Sequence, residues 1–123
     1  MDTNSVDFEE LSSNLSKLIL IDVRCREEAS QEGQIPGSFC VPATTIKLAA
    51  DLTQEEFKER YGFDKPSKEA PLVLYCKTGV RSKNAYEQLT ALGFTNHRHY
   101  SGSLIDWQNN GGDVVKTQFG HMS

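Results

Sequence analysis

The chain has 123 residues, enough for one domain of common size and too few for two domains with separate cores. Hydrophobic residues make up 37% and charged residues 24%, a balance that supports a packed core and excludes disorder throughout. Seventeen acidic against thirteen basic residues give a net charge of −4, which argues against a general nucleic-acid binder, since such proteins normally carry a basic excess.

No apolar run approaches the roughly 20 residues that a membrane span needs. Met1 to Glu10 is acidic and lacks both the basic-then-apolar order of a signal peptide and the Arg-rich pattern of a transit peptide, so a cytoplasmic, membrane-free protein is expected. In chain order, Val6, Phe8, Leu11 and Leu15 are spaced among acids and serines as in a helix over Val6 to Leu15. Lys17 to Val23 is a short apolar run that suits a strand buried on both faces, with charge at its end in Asp22 and Arg24. Glu27 to Glu32 reads as a short helix stopped at Gly33 and at the bend Ile35-Pro36-Gly37. Ser38 to Val41 is a short strand closed by Pro42, and Thr53 with Glu56 forms a capping box ahead of a helix carrying Phe57 and Tyr61.

Leu72 to Tyr75 is a second buried-strand run that leads directly into Cys76 to Arg81. From Ser82 the pattern is helical, with Ala85, Leu89 and Leu92 on one face and Gly93 as the stop. His97 to Tyr100 is a candidate strand, and Leu104, Ile105 and Trp107 mark a last helix. Alternating strands and helices predict an α/β fold with a largely parallel central sheet flanked by helices. One domain over residues 1–115 is expected, followed by a frayed tail over 116–123 with no assigned role.

Three cysteines, Cys25, Cys40 and Cys76, make a poor disulfide framework and are expected as free thiols in a reducing compartment. Cys76 stands out. It follows a buried strand, and its loop opens a helix, where backbone N–H groups can converge on an anion and the helix end adds positive potential. Gly79 permits a tight turn, and Lys77 and Arg81 add charge within a few residues. Each effect favours thiolate and predicts a Cys76 titration below the usual value of about 8.5. The arginine comes five residues after the cysteine, where cysteine phosphatases place it six residues on, and the tighter ring suits a sulfur anion better than a phosphoryl group.

Cys76-Lys77-Thr78-Gly79-Val80-Arg81 resembles the six-residue active-site loop of rhodanese domains. Leu20-Ile21-Asp22-Val23-Arg24 and Gly33-Gln34-Ile35-Pro36-Gly37-Ser38 resemble the two amino-terminal signatures of that family, and Gly102 to Trp107 its closing segment. The middle stretch with Phe57, Tyr61, Lys65 and Pro66 is similar to animal single-domain members of the thiosulfate:glutathione sulfurtransferase kind. There are departures: an extra residue between Arg24 and Gly33, Gln34 where histidine is frequent, and Ser103 where glycine is frequent.

The resemblance implies a sulfurtransferase whose nucleophile is Cys76 and whose intermediate is a persulfide on that sulfur. It implies that the loop Lys77, Thr78, Gly79, Val80 and Arg81 holds the sulfur, with Lys77 and Arg81 contacting a small anionic donor such as thiosulfate. Asp22 and Arg24 would be ion-paired supports. The acceptor would be cyanide, a thiol such as glutathione, or a thiol-bearing protein. No cofactor or metal is implied, and a monomer is expected. Two other classes stay open: a binding or regulatory module that kept the fold without turnover, and a cysteine phosphatase. His97 and His99 would share one strand face, but two histidines make an incomplete metal site, and a Cys–His hydrolase is unnecessary where a loop already stabilises thiolate. Cys25 is a candidate resolving thiol with an ordinary loop cysteine as the simpler reading, and Cys40 reads as core.

Overall fold

Apolar runs bounded by turn residues become strands, and the segments between them become helices, in a computed structural model that describes residues 4–116. In chain order the elements are β1 (Ser5–Val6), α1 (Phe8–Asn14), β2 (Ile19–Asp22), α2 (Arg26–Glu32), β3 (Phe39–Cys40), α3 (Ile46–Asp51), α4 (Gln54–Tyr61), β4 (Leu72–Tyr75), α5 (Val80–Ala91), β5 (His97–Tyr100) and α6 (Ser103–Asn109). Short 3-10 turns lie at Leu15–Lys17 and Ala43–Thr45. The strands form one sheet in the order β1-β5-β4-β2-β3, and every ladder in it is parallel. The chain thus adopts the expected α/β architecture, a parallel sheet flanked by helices.

Side chains alternate between the two faces of the sheet, as the period-2 geometry of a strand requires. Leu72 and Leu74 of β4 join Ile21, Ile46, Phe57 and Leu89 in one core, beneath α3, α4 and α5. Val73 and Tyr75 point the other way, into a second core with Leu11 of α1, Ile35, and Leu104 and Trp107 of α6. Full burial of one such aliphatic side chain stabilises the fold by about 1.5–3 kcal/mol. With both faces covered, all four residues of β4 are buried, which explains why that segment reads as an unbroken apolar run.

Three local expectations differ from what the chain does. The helix expected over Val6 to Leu15 begins only at Phe8, because Asp7 caps it by accepting the Glu10 N–H at 2.8 Å, while Val6 pairs with Tyr100 as an edge strand. The helix expected from Ser82 opens at Val80, directly after the left-handed Gly79. Helix α3 has no counterpart in the sequence reading: it spans six residues, and Thr45 gives it no side-chain cap, so the local signal is missing. The capping box at α4 is present in both directions, with Thr53 Oγ1 accepting from Glu56 N at 3.1 Å and Glu56 Oε1 accepting from Thr53 N at 2.9 Å. Val115, the last residue of the expected domain, forms an antiparallel bridge with Gln34, and of the expected tail over 116–123, residues 117–123 lie outside the described residues. No helix among the described residues is long and apolar enough to cross a membrane.

Candidate active site

The parallel register sets Asp22 beside Tyr75, so the carboxyl ends of β2 and β4 lie together, the place where open parallel sheets bind ligands. Cys76 follows β4 directly and is 1% exposed. Its sulfur accepts the Gly79 N–H at 3.0 Å and the Ser82 N–H at 3.4 Å. The Ser82 hydroxyl lies 3.5 Å from the sulfur and the Ser103 hydroxyl 3.8 Å from it. Ser82 sits in the first turn of α5, whose amides lack intrahelical acceptors, and here one of them turns to the sulfur. Burial by itself would raise the Cys76 thiol, but hydrogen bonds from Ser82, Gly79 and Ser103 outweigh it and hold the thiol below its ordinary range.

Two further features keep the loop in this shape. Gly79 has φ +105°, and a Cβ placed there would lie 2.1 Å from the carbonyl oxygen of Ser101, so only glycine fits. On the other side, the α6 amides of Leu104 and Ile105 take the carbonyls of Cys76 and Lys77 at 3.0 and 3.1 Å. The carbonyls of Cys76 and Lys77 are thereby satisfied by α6.

The loop cations are paired with acids of α2. Both terminal guanidinium nitrogens of Arg81 donate to the Glu28 carboxylate, at 2.7 and 2.8 Å, and Lys77 lies 3.4 Å from Glu32. Hydrogen bonding to Arg81 holds Glu28 below the usual carboxylate range, and the same bond raises Arg81. Helix α2 thus presents two acids, one turn apart, to the two cations. Thr78 and Val80 are exposed at the tip of the loop.

Asp22 and Arg24 form a wholly buried pair at 2.7 Å. Arg24 also donates to the Gly33 carbonyl at 2.7 Å, and the Tyr75 hydroxyl reaches Asp22 at 3.1 Å while accepting the Ile35 N–H at 3.1 Å. This network ties the Gly33–Ile35 bend to the strand that carries Cys76. It is a support: its hydrogen bonds run to Gly33, Ile35 and Tyr75 rather than to the sulfur.

The model of the rhodanese-like domain matches residues 7–110 of the chain. The chain belongs to the rhodanese-like domain family. It is 35% identical over 106 residues to the human thiosulfate:glutathione sulfurtransferase, covering 84% of this chain and 91% of that one. A Mus musculus protein, thiosulfate sulfurtransferase/rhodanese-like domain-containing protein 3, is 40% identical over 104 residues; the match spans 83% of this chain and 66% of the mouse protein, just under two thirds of its length. Among solved structures, the human single-domain sulfurtransferase TSTD1 superposes with a TM-score of 0.83 at 33% identity, covering 88% of this chain and 97% of that one. The chemistry these relatives support for the family is sulfur transfer.

The rhodanese-like domain's other candidate groups sit elsewhere. Cys40 is buried, and burial with the Asp22 charge pushes its thiol up to about 12. Cys25 is exposed at the start of α2, its sulfur 3.7 Å from Glu28. His97 and His99 both pack their rings on Tyr86 of α5, and His97 Nε2 bonds Thr90 Oγ1 at 2.8 Å rather than Cys76. No group of three or more metal-ligating side chains occurs among the described residues. Sequence reasoning missed Ser82, Ser103, Glu28 and Glu32. The one available signal was the spacing of Glu28 and Glu32, which places both on one face of a helix.

Proposed function

We propose that this rhodanese-like domain moves a sulfane sulfur from thiosulfate, or a related small anionic donor, to a thiol through a persulfide on Cys76. The observation that carries the reading is the Cys76 sulfur, buried and receiving N–H groups from Gly79 and Ser82. That arrangement stabilises a sulfur anion and supplies no general base, which a thiolate nucleophile does not need.

In the first half-reaction the Cys76 thiolate attacks the outer sulfur of thiosulfate. A new S–S bond forms, the donor S–S bond breaks, and its electron pair leaves on sulfite. In the second, an acceptor thiolate attacks the outer sulfur of the persulfide; the acceptor leaves as a persulfide, and the electron pair returns to Cys76. Both halves are balanced without a cofactor and predict ping-pong kinetics. Glutathione as acceptor draws its support from the human relative named for it. The bidentate hold of Glu28 on Arg81 argues against a phosphatase, which would need that guanidinium for a phosphoryl group. Three unpaired cysteines fit the reducing cytoplasm, a placement that cell fractionation tests directly.

Intact mass after thiosulfate treatment tests the reading. A gain of about 32 Da, one sulfur, is expected in the wild type, removed by glutathione or cyanide and absent in Cys76→Ser. No gain in the wild type overturns thiosulfate as the donor.

A further inference from the structure

Ser103 is the one described non-glycine residue with a positive φ, +54°, a conformation glycine adopts freely and serine adopts against a steric penalty. It is also fully buried. Its hydroxyl accepts the Cys76 N–H at 3.1 Å, donates to the Tyr100 carbonyl at 2.7 Å, and lies 3.8 Å from the Cys76 sulfur. The next two residues, Leu104 and Ile105, already take the carbonyls of Cys76 and Lys77 through their backbone amides. Strain of this kind persists where the surrounding structure holds it in place, and it concentrates at functional sites. Here it falls on the residue of α6 whose side chain touches the nucleophile.

A hydroxyl has one proton to give. Beside a neutral thiol, the Tyr100 carbonyl is the nearer and better acceptor. A thiolate is a stronger acceptor than a carbonyl, because hydrogen bonds to ionised groups are stronger than neutral ones. Rotation about the Cβ–Oγ bond brings the same proton to the sulfur.

We propose that Ser103 is a positioning residue for Cys76: its hydroxyl pins the Cys76 backbone amide and turns its proton from the Tyr100 carbonyl to the sulfur once the sulfur is charged. The inference rests on Cys76 as the nucleophile of the proposed sulfur transfer, and is independent of the donor. Such a switch stabilises the thiolate and leaves the resting thiol unaffected, so its signature is a change in the pH at which Cys76 becomes reactive.

The test is peptide-resolved alkylation of Cys76 by iodoacetamide as a function of pH, in wild type, Ser103→Ala and Ser103→Gly, with exposed Cys25 in the same sample as internal reference. Loss of the hydroxyl should slow Cys76 alkylation at pH 7 by about three- to tenfold and move the reactive midpoint up by about half to one pH unit. Cys25 should be unchanged. Thermal unfolding reports whether each variant folds, and Ser103→Gly, which removes the backbone penalty along with the hydroxyl, decides the matter if Ser103→Ala does not. A folded variant whose Cys76 profile stays within about twofold of wild type overturns the proposal. The readout needs no sulfur donor, so a wild type that takes up no sulfur would count against the transfer reading and leave the Ser103 result standing.

Discussion

Cys40 and Cys76 occupy matching places on either side of β2, one closing β3 and one just beyond β4, and burial leaves them 6% and 1% exposed. Their thiols are nevertheless pushed in opposite directions. Cys40 is raised to about 12, first by burial and then by Asp22, and its S–H donates to the Arg24 carbonyl at 3.4 Å, a bond that only the protonated form can make. Cys76 also reaches an acceptor, the Ser82 hydroxyl at 3.5 Å, but unlike Cys40 it accepts backbone N–H groups, from Gly79 and Ser82. Burial is common to both; the Asp22 charge adds to it at Cys40, and the hydrogen bonds from Ser82, Gly79 and Ser103 override it at Cys76, the thiol that can act as a nucleophile.

Alkylation of both thiols in one folded sample should show the largest difference. Cys76 should react with a midpoint below the ordinary thiol value of about 8.5, and Cys40 should react at least about a hundredfold more slowly at pH 7. Peptide-resolved mass spectrometry over pH 5 to about 9 reads both rates. Comparable rates at the two positions would mean that the amide contacts at Cys76 carry no weight.

Gly79→Ala attacks the shape of the cradle. The added Cβ meets the Ser101 carbonyl at 2.1 Å on a backbone at φ +105°, so about 2–4 kcal/mol of stability should be lost in urea unfolding. Whatever protein remains folded should lose most of the Cys76 reactivity, because the 3.0 Å amide contact comes from the residue that must move. The Cys40 environment should be unaffected. An equally stable, equally reactive variant would refute the close packing of the loop.

How much of this was legible in the sequence follows the range of the interactions. Strand β4, the glycine in the loop and the helix after it are contiguous, so local patterning was enough to single out Cys76. The buried Asp22–Arg24 pair was legible for the same reason: its members are two residues apart at a strand end. Ser103, 27 residues away from Cys76, and Glu28, 53 from Arg81, reach the site only through the sheet order, which local pattern does not encode. That is also why the pairing of Lys77 with Glu32 and of Arg81 with Glu28 was not legible in the sequence. Val6 was misassigned because its apolar side chain fits the helical spacing, whereas Tyr100, a residue distant in the chain, draws it into the sheet.

The charge shell and the amide cradle can be separated by Glu28→Gln. The change removes one negative charge at the mouth of the site and loosens the hold on Arg81, with no direct contact to the sulfur. Arg81 is 42% exposed, so the stability change should stay below about 1 kcal/mol. For thiosulfate, kcat/KM should rise about two- to fivefold at low salt, with the gain shrinking by about 0.5 M salt as screening takes over. Cys76 alkylation at pH 7 by neutral iodoacetamide should change far less. A fall in kcat/KM would mean that Glu28 holds Arg81 in its working position, and the assignment of a screening role would be wrong.

The smallest effect concerns a third buried group that behaves like Cys40. Burial holds His97 below its ordinary 6.5, against a raising contribution from the hydrogen bond to the Tyr86 carbonyl. The folded state therefore binds the proton more weakly than the unfolded chain does. Its contribution to stability is full above the unfolded value and is lost as pH falls from about 6.5 through the lower folded value. Urea unfolding between pH 7.5 and 5 should show a loss of about 1 kcal/mol or less, and His97→Gln should flatten the curve in that window. Depressed carboxylates such as Glu28 act only at more acid pH, so they do not contribute there. If the slope survives in His97→Gln, burial at this position is compensated as it is at Cys76, and His97 belongs on the other side of the comparison.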